Sequence, residues 1–221
     1  MHDVQATRGT AITAEAPPLR GIISASRARQ IALVVGALGF AADLGSKTWA
    51  LASLRPQQPV PLVPGFLAFN LYRNPGAAFS MGEGVTWLFT GIAILALGAT
   101  LFMLVPRLRH VGWAWGTGLL LAGIAGNLAD RLVREPGPFR GYVIDFIQFP
   151  WFICNVADIW ITFAAIVGGW VMLIAKVGPD GRPESEPKPV VPAGRDKDHQ
   201  SADSDVPEPP TPGSAPPGDA A

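Results

Sequence analysis

The chain has 221 residues and no net formal charge, with 17 basic and 17 acidic side chains, 49% hydrophobic residues and 22 prolines. That is one domain of ordinary size with something appended, and the charge balance excludes nucleic-acid binding through a basic field. The single cysteine, Cys154, excludes an internal disulfide and leaves the redox compartment unread.

The average composition hides two populations. Residues 30–177 carry nearly all the apolar runs, while both ends are polar and proline-rich. Residues 1–27 read as a flexible tail. Residues 178–221 hold many prolines, an excess of Asp and Glu and almost no large apolar side chain, so they cannot bury a core and are expected to be disordered. No apolar core ending in a small-residue cleavage site is visible in the first thirty residues, so no cleavable signal peptide is expected. Between the tails, four segments have the ~20 residues needed to cross a bilayer. They run from about Ile31 to Leu51, Trp87 to Val105, Val111 to Leu132 and Val156 to Val177. The expected fold is therefore an all-α membrane protein of four transmembrane helices, residues 28–177, with a small β-like region in its loops.

Arg20, Arg27 and Arg29 precede the first span, and the turn Pro106-Arg107-Leu108-Arg109-His110 joins the second to the third. Under the positive-inside rule these basic groups lie in the cytoplasm, which puts both termini inside and both long loops outside. Asp43 and Lys47 stand four residues apart near the far end of the first span, on one helical face. Two readings are open: an ion pair at the interface with Lys47 snorkelling outward, or a role in binding substrate or lipid headgroups. In the loop that follows, Val60–Leu71 has the β-branched and aromatic content of short strands. Asn74-Pro75-Gly76-Ala77-Ala78-Phe79-Ser80 then offers a polar amide followed by small residues that allow a ligand to approach the backbone. A plain turn is the simpler account of that stretch. The second span, of Gly, Ala, Leu, Ile and Thr, reads as scaffold. In the glycine-rich third span, Asn127, Asp130 and Arg131 share one face as either a structural clamp or a positioning group.

The chemistry gathers in residues 141–160. Asp145 is flanked by Ile144 and Phe146, and Asp158 opens the fourth span with Asn155 three residues before it. A carboxylate near hydrocarbon is costly and usually has a partner or a task. Two such acids that cannot easily both ionise can divide general acid and general base between them.

The ordered motifs resemble the lipoprotein signal peptidase (signal peptidase II) family over residues 28–177. They are Asp43 to Lys47, Asn74 to Phe79, Gly126-Asn127 through Asp130-Arg131, Val143-Ile144-Asp145-Phe146 and Asn155-Val156-Ala157-Asp158. One departure is Cys154, where the family usually has phenylalanine; with no histidine near it in sequence, Cys154 reads as a buried small hydrophobe. The resemblance implies an intramembrane aspartic peptidase that removes the signal peptide of diacylglyceryl-modified prolipoproteins. It makes Asp145 and Asp158 the catalytic dyad, with Asn74, Asn127, Asp130, Arg131 and Asn155 in support and Asp43 and Lys47 a further pair. The small residues Gly76, Ala77 and Ala78 are expected to let the substrate backbone pass. No cofactor or metal is implied, and the partners are the prolipoprotein and membrane lipid, with the enzyme a monomer.

Three other readings compete. A proton or ion transporter needs acids along a path, yet these cluster at one end of the spans. A scaffold would pair every acid, but Asp145 and Asp158 have no evident basic partner. A zinc peptidase lacks His-Glu-x-x-His, and the three histidines lie outside the site.

Overall fold

The computed structural model describes residues 21–76 and 85–183. Four helices and four strands follow in the order α1 (Ala25–Ser53), β1 (Val60–Val63), β2 (Leu67–Asn74), α2 (Thr86–Ala99), α3 (Val111–Val133), β3 (Val143–Gln148), β4 (Ile153–Cys154) and α4 (Val156–Trp170). Both α2 and α4 continue through a π turn, at Thr100–Leu104 and Val171–Ala175. Local chemistry sets the ends. Ser24 caps α1 through its side chain, which accepts from the Arg27 amide, and Pro56 follows soon after the last turn. His110 caps α3 by accepting the Gly112 N–H on Nδ1. Asn155 and Asp158 form a reciprocal capping box at the start of α4.

α3 is the central helix, packed against α1 on one side and α4 on the other, with α2 alongside. The buried stripe of α1 is Ala28, Ala32, Gly36, Gly39, Asp43, Lys47 and Ala50, mostly small residues at helical spacing. Gly118 shows why they must be small: a Cβ there would press into the Ala32 carbonyl and the Val35 side chain. Without water to drive helices together, this close backbone approach supplies the packing. The outward faces are apolar instead. Leu38, Leu95, Phe102, Ile166, Trp170 and Leu173 are all more than half exposed, a surface suited to lipid tails rather than water.

Three helices are long and apolar enough to cross a membrane: Ala25–Ser53, Thr86–Arg107 with its π and 3₁₀ turns, and Val156–Ala175. α3 matches the expected third span in its bounds but is not among them. Its glycines and its Asn127, Asp130 and Arg131 lower its hydropathy, which is tolerable because its neighbours bury much of it.

The expected β-like region is a four-stranded antiparallel sheet, ordered β1-β2-β3-β4, that joins both long loops. Sequence reading placed strands only in residues 60–71, whereas half the sheet comes from the aromatic segment before α4. The register sets Asn74 opposite Val143, two residues from Asp145 on the same face. Ala50, Leu71, Ile144 and Phe146 form a core beneath the sheet, and Trp49 meets Phe69 edge-on with ring centroids 5.1 Å apart. At the other end of the helices, the chain before α1 and the chain after α4 are both tied to the α2–α3 turn. Val111 donates to the Gly21 carbonyl, Arg109 N–H to that of Pro179, and Trp113 Nε1 to that of Val177.

Candidate active site

The site forms where the sheet meets the ends of α1 and α3 and the start of α4. Asp145 projects from β3 and is almost fully buried. Its Oδ2 accepts a hydrogen bond from Asn74 Nδ2 at 2.8 Å and its Oδ1 one from Asn155 Nδ2 at 2.6 Å. Burial pushes the Asp145 carboxyl up to about 6; the negative charge of Asp158 adds to that shift, while the two Asn donors and Lys47 oppose it.

Asp158 sits in the first turn of α4. Its Oδ1 accepts from Asn127 Nδ2 at 2.8 Å and its Oδ2 from the Asn155 backbone N–H at 3.2 Å. Asn155 is thus the joint between the two acids. Its Oδ1 accepts the Asp158 N–H at 3.1 Å, while its Nδ2 reaches both Asp145 and, at 3.1 Å, Asn127 Oδ1. Among the described residues, neither Asp145 nor Asp158 forms an ion pair.

Asn74 forms the turn that the simpler account expects and also reaches Asp145. Its Oδ1 accepts the Gly76 N–H in a local turn, which leaves Nδ2 free to donate to Asp145. Gly76 is needed there: its φ is +105°, and a Cβ would strike the Phe89 ring. Ala77 and Ala78 lie outside the described residues.

Lys47 does not snorkel outward. It is fully buried, with Nζ 2.8 Å from Asp43 Oδ2, 2.9 Å from Asp130 Oδ2 and 3.1 Å from Asn127 Oδ1. The contact with Asp43 is an ion pair rather than an aligned hydrogen bond. The expected ion pair with Asp43 forms, and α3 adds Asp130 as a second partner that holds Lys47 inward. Asp43 Oδ1 accepts the Ala157 N–H at 2.8 Å, and Asp130 Oδ2 accepts the Ile144 N–H at 3.2 Å.

Asp130 does not pair with its neighbour Arg131. It pairs with Arg134, one turn on, which sequence reading passed over even though the i,i+4 spacing was there to find it. Arg131 instead donates from Nη1 to the Asn127 carbonyl at 3.1 Å and lies within electrostatic reach of Asp158 and Asp145, while its buried Nε has no hydrogen-bond partner. Three further residues were missed or given no role. Gly126 must lack a Cβ, which would collide with the Asp43 carboxylate. Thr90 on α2 donates to the Phe139 carbonyl at 2.8 Å, and Thr86 donates to the Pro75 carbonyl beside Asn74, so the second span steadies the site's rim as well as the bundle. Cys154 is buried as expected, and burial next to both acids pushes its thiol up to about 11.

Comparison with known proteins gives the same reading. The family model described as "Signal peptidase (SPase) II" matches residues 35–175, more than half of the chain. The chain is 41% identical over 149 residues to the lipoprotein signal peptidase of Mycobacterium avium (strain 104), covering 67% of this chain and 79% of that protein. Against the lipoprotein signal peptidase of Rhodococcus jostii (strain RHA1) it is 40% identical over 157 residues, covering 69% and 77%. Among solved structures it resembles a bacterial membrane enzyme determined by the in meso method at 1.9 Å, with TM-score 0.57, 24% identity, and coverage of 70% and 97%. That last likeness concerns the fold. The family match, the two relatives and the bundle with lipid-facing sides agree that this multi-pass membrane protein belongs to the signal peptidase II family of peptidases.

Proposed function

We propose that this chain is an intramembrane aspartic endopeptidase that removes the signal peptide of diacylglyceryl-modified prolipoproteins, cutting just before the lipidated cysteine. The observation that carries the reading is the joint at Asn155, which links two acids without ion-pair partners from two different elements. Family membership and the relatives' name support the substrate class. The same apposition weighs against a scaffold, in which unneutralised acids would only be a cost.

The environments separate the two roles. Asp145, buried and holding its proton to about pH 6, is the general acid toward the scissile carbonyl. Asp158 is the general base: the N-terminus of α4 and two donors suit an anion there. Asp158 takes a proton from water as the hydroxide adds to the carbonyl carbon, and Asp145 gives its proton to the carbonyl oxygen. When the gem-diol intermediate collapses, the proton held on Asp158 passes to the leaving amine and a proton from one gem-diol hydroxyl returns to Asp145, which resets the dyad.

All four helices cross the bilayer in this reading, with α3 shielded by its neighbours. Arg27, Arg29, Arg107 and Arg109 cluster at the end away from the sheet, and the positive-inside rule makes this support for cytoplasmic termini and a site near the outer face. The peptidase domain is residues 28–177, flanked by tails at 1–27 and 178–221, and the enclosed site works as a monomer. Asp43, Lys47, Asn74, Asn127, Asp130, Arg131 and Asn155 support the dyad, and Gly76, Ala77 and Ala78 leave room for the substrate backbone. The test is cleavage of a diacylglyceryl-modified prolipoprotein in detergent by the parent, Asp145→Asn and Asp158→Asn. Loss of cleavage in both folded variants is expected. Parent-rate cleavage by either one refutes the dyad.

A further inference from the structure

The proposed dyad is held by more than the groups that touch it. Lys47 Nζ has three contacts: ion pairs with Asp43 and Asp130 and a hydrogen bond to Asn127. Each contact leads to one of the acids. Asp43 accepts the backbone N–H of Ala157, the residue before Asp158. Asp130 accepts the backbone N–H of Ile144, the residue before Asp145. Asn127 donates to the Asp158 carboxylate and accepts from Asn155, which in turn donates to Asp145. Lys47 is thus the point where a chain of contacts from β3 meets one from α4.

The charges around it close on themselves. Lys47 and Arg134 are positive, Asp43 and Asp130 negative, and all four belong to one connected set. Asp145 and Asp158 stand outside that set. A buried charge network contributes little net stability compared with apolar packing of the same volume, whereas it does restrict geometry. Here the geometry it restricts is that of two backbone N–H groups, each one residue before an acid.

We propose that Lys47 is a positioning residue: through Asp43 and Asp130 its ammonium ties the backbone just before Asp158 to the backbone just before Asp145, and so sets the spacing of the two acids. This rests on the dyad reading above. The contacts of Lys47 Nζ are with Asp43, Asp130 and Asn127 rather than with either acid of the dyad. Gly126 serves the same linkage by leaving space for the Asp43 carboxylate between α3 and α4.

The test is the double variant Asp43→Asn with Lys47→Gln, assayed for prolipoprotein cleavage below its own Tm and scaled to folded protein. The pair of changes removes one charge of each sign, leaves Asp130 with Arg134, and keeps an acceptor oxygen for the Ala157 N–H. A fall in kcat of ~10- to 100-fold, with KM within about twofold of the parent, is expected for acids displaced by a fraction of an ångström to an ångström. A kcat within twofold of the parent overturns the proposal. Should the double variant not fold, Asp43→Asn is compared with Asp43→Leu, which has similar volume and no acceptor. Higher kcat per folded molecule in the Asn variant supports the linkage, and equal kcat in the two overturns it. The Asp145→Asn and Asp158→Asn variants run alongside. If they cleave, the dyad reading itself fails; if they are inactive while Asp43→Asn with Lys47→Gln runs at the parent rate, only the role of Lys47 falls.

Discussion

Asn155→Ala perturbs both acids at once and makes the sharpest test of how they are held. The side chain caps α4, and loss of a cap costs ~1 kcal/mol. It also donates to the Asp145 carboxylate at 2.6 Å, and a hydrogen bond to a charged group contributes ~1.5–3 kcal/mol. Asn127 Oδ1 keeps the Lys47 donor, so that group is not orphaned. The combined cost is ~3 kcal/mol, which for a chain of this size lowers Tm by roughly 6–12 °C. The proton balance shifts as well. The Asn155 donor favours ionised Asp145, so its removal drives that carboxyl above about 6. A lost hydrogen bond of ~1.5 kcal/mol corresponds to about one pH unit. As the proposed acid, Asp145 ends activity on the alkaline side when it loses its proton, so the alkaline limb of kcat moves up by about one unit. Stability follows the same sign. The folded carboxyl keeps its proton to higher pH than its ordinary 3.8, so its contribution favours the folded state below 3.8 and is lost as pH rises through about 6. The variant extends that window upward. Thermal unfolding and cleavage between pH 5 and 9 read both effects. An alkaline limb that stays put or moves down refutes the reasoning, as does an unchanged Tm.

Two other outcomes follow from the same geometry. Gly126→Ala forces a methyl against the Asp43 carboxylate and Ala157, so ~1–3 kcal/mol of stability is lost and kcat falls, both measurable in the same assays. Full activity would mean that Asp43 need not reach the Ala157 N–H. Cys154, with its thiol near 11, is roughly 0.1% thiolate at pH 8 even before burial limits access, so maleimide labels it at least ~100-fold more slowly in the folded protein than in denaturant. Rapid labelling followed by mass spectrometry would show that β4 opens.

The residues that form the site could be read from the chain because polar groups in apolar surroundings stand out. Asp43, Lys47, Asn74, Asn127, Asp130, Asn155, Asp145 and Asp158 all converge. Their partnerships were less legible. Whether Lys47 points to solvent or inward depends on Asp130, far along the chain, and helical spacing says nothing about that. Arg131 drew attention because it sits beside Asp130, yet adjacent helical side chains diverge by about 100° and the pair is made by Arg134. The β3–β4 hairpin was hidden because its aromatic residues, Phe146 to Phe152, suit a membrane interface and a strand equally well. The third helix shows the limit of composition. Polarity that would be prohibitive on a lipid-facing helix is acceptable on one enclosed by its neighbours.

The capping box at the start of α4 has a bearing on how the enzyme is made. Asp158 and Asn155 belong to the last helix, whereas Asp43, Lys47, Asn74 and Asn127 are synthesised well before it. Until that helix docks, Asp145 has the Asn74 donor but not that of Asn155, and the second acid of the proposed dyad is absent. On the proposed dyad, the chain gains its second acid only when α4 is made. Chains released before residue 155 would carry at most Asp145 of the proposed pair.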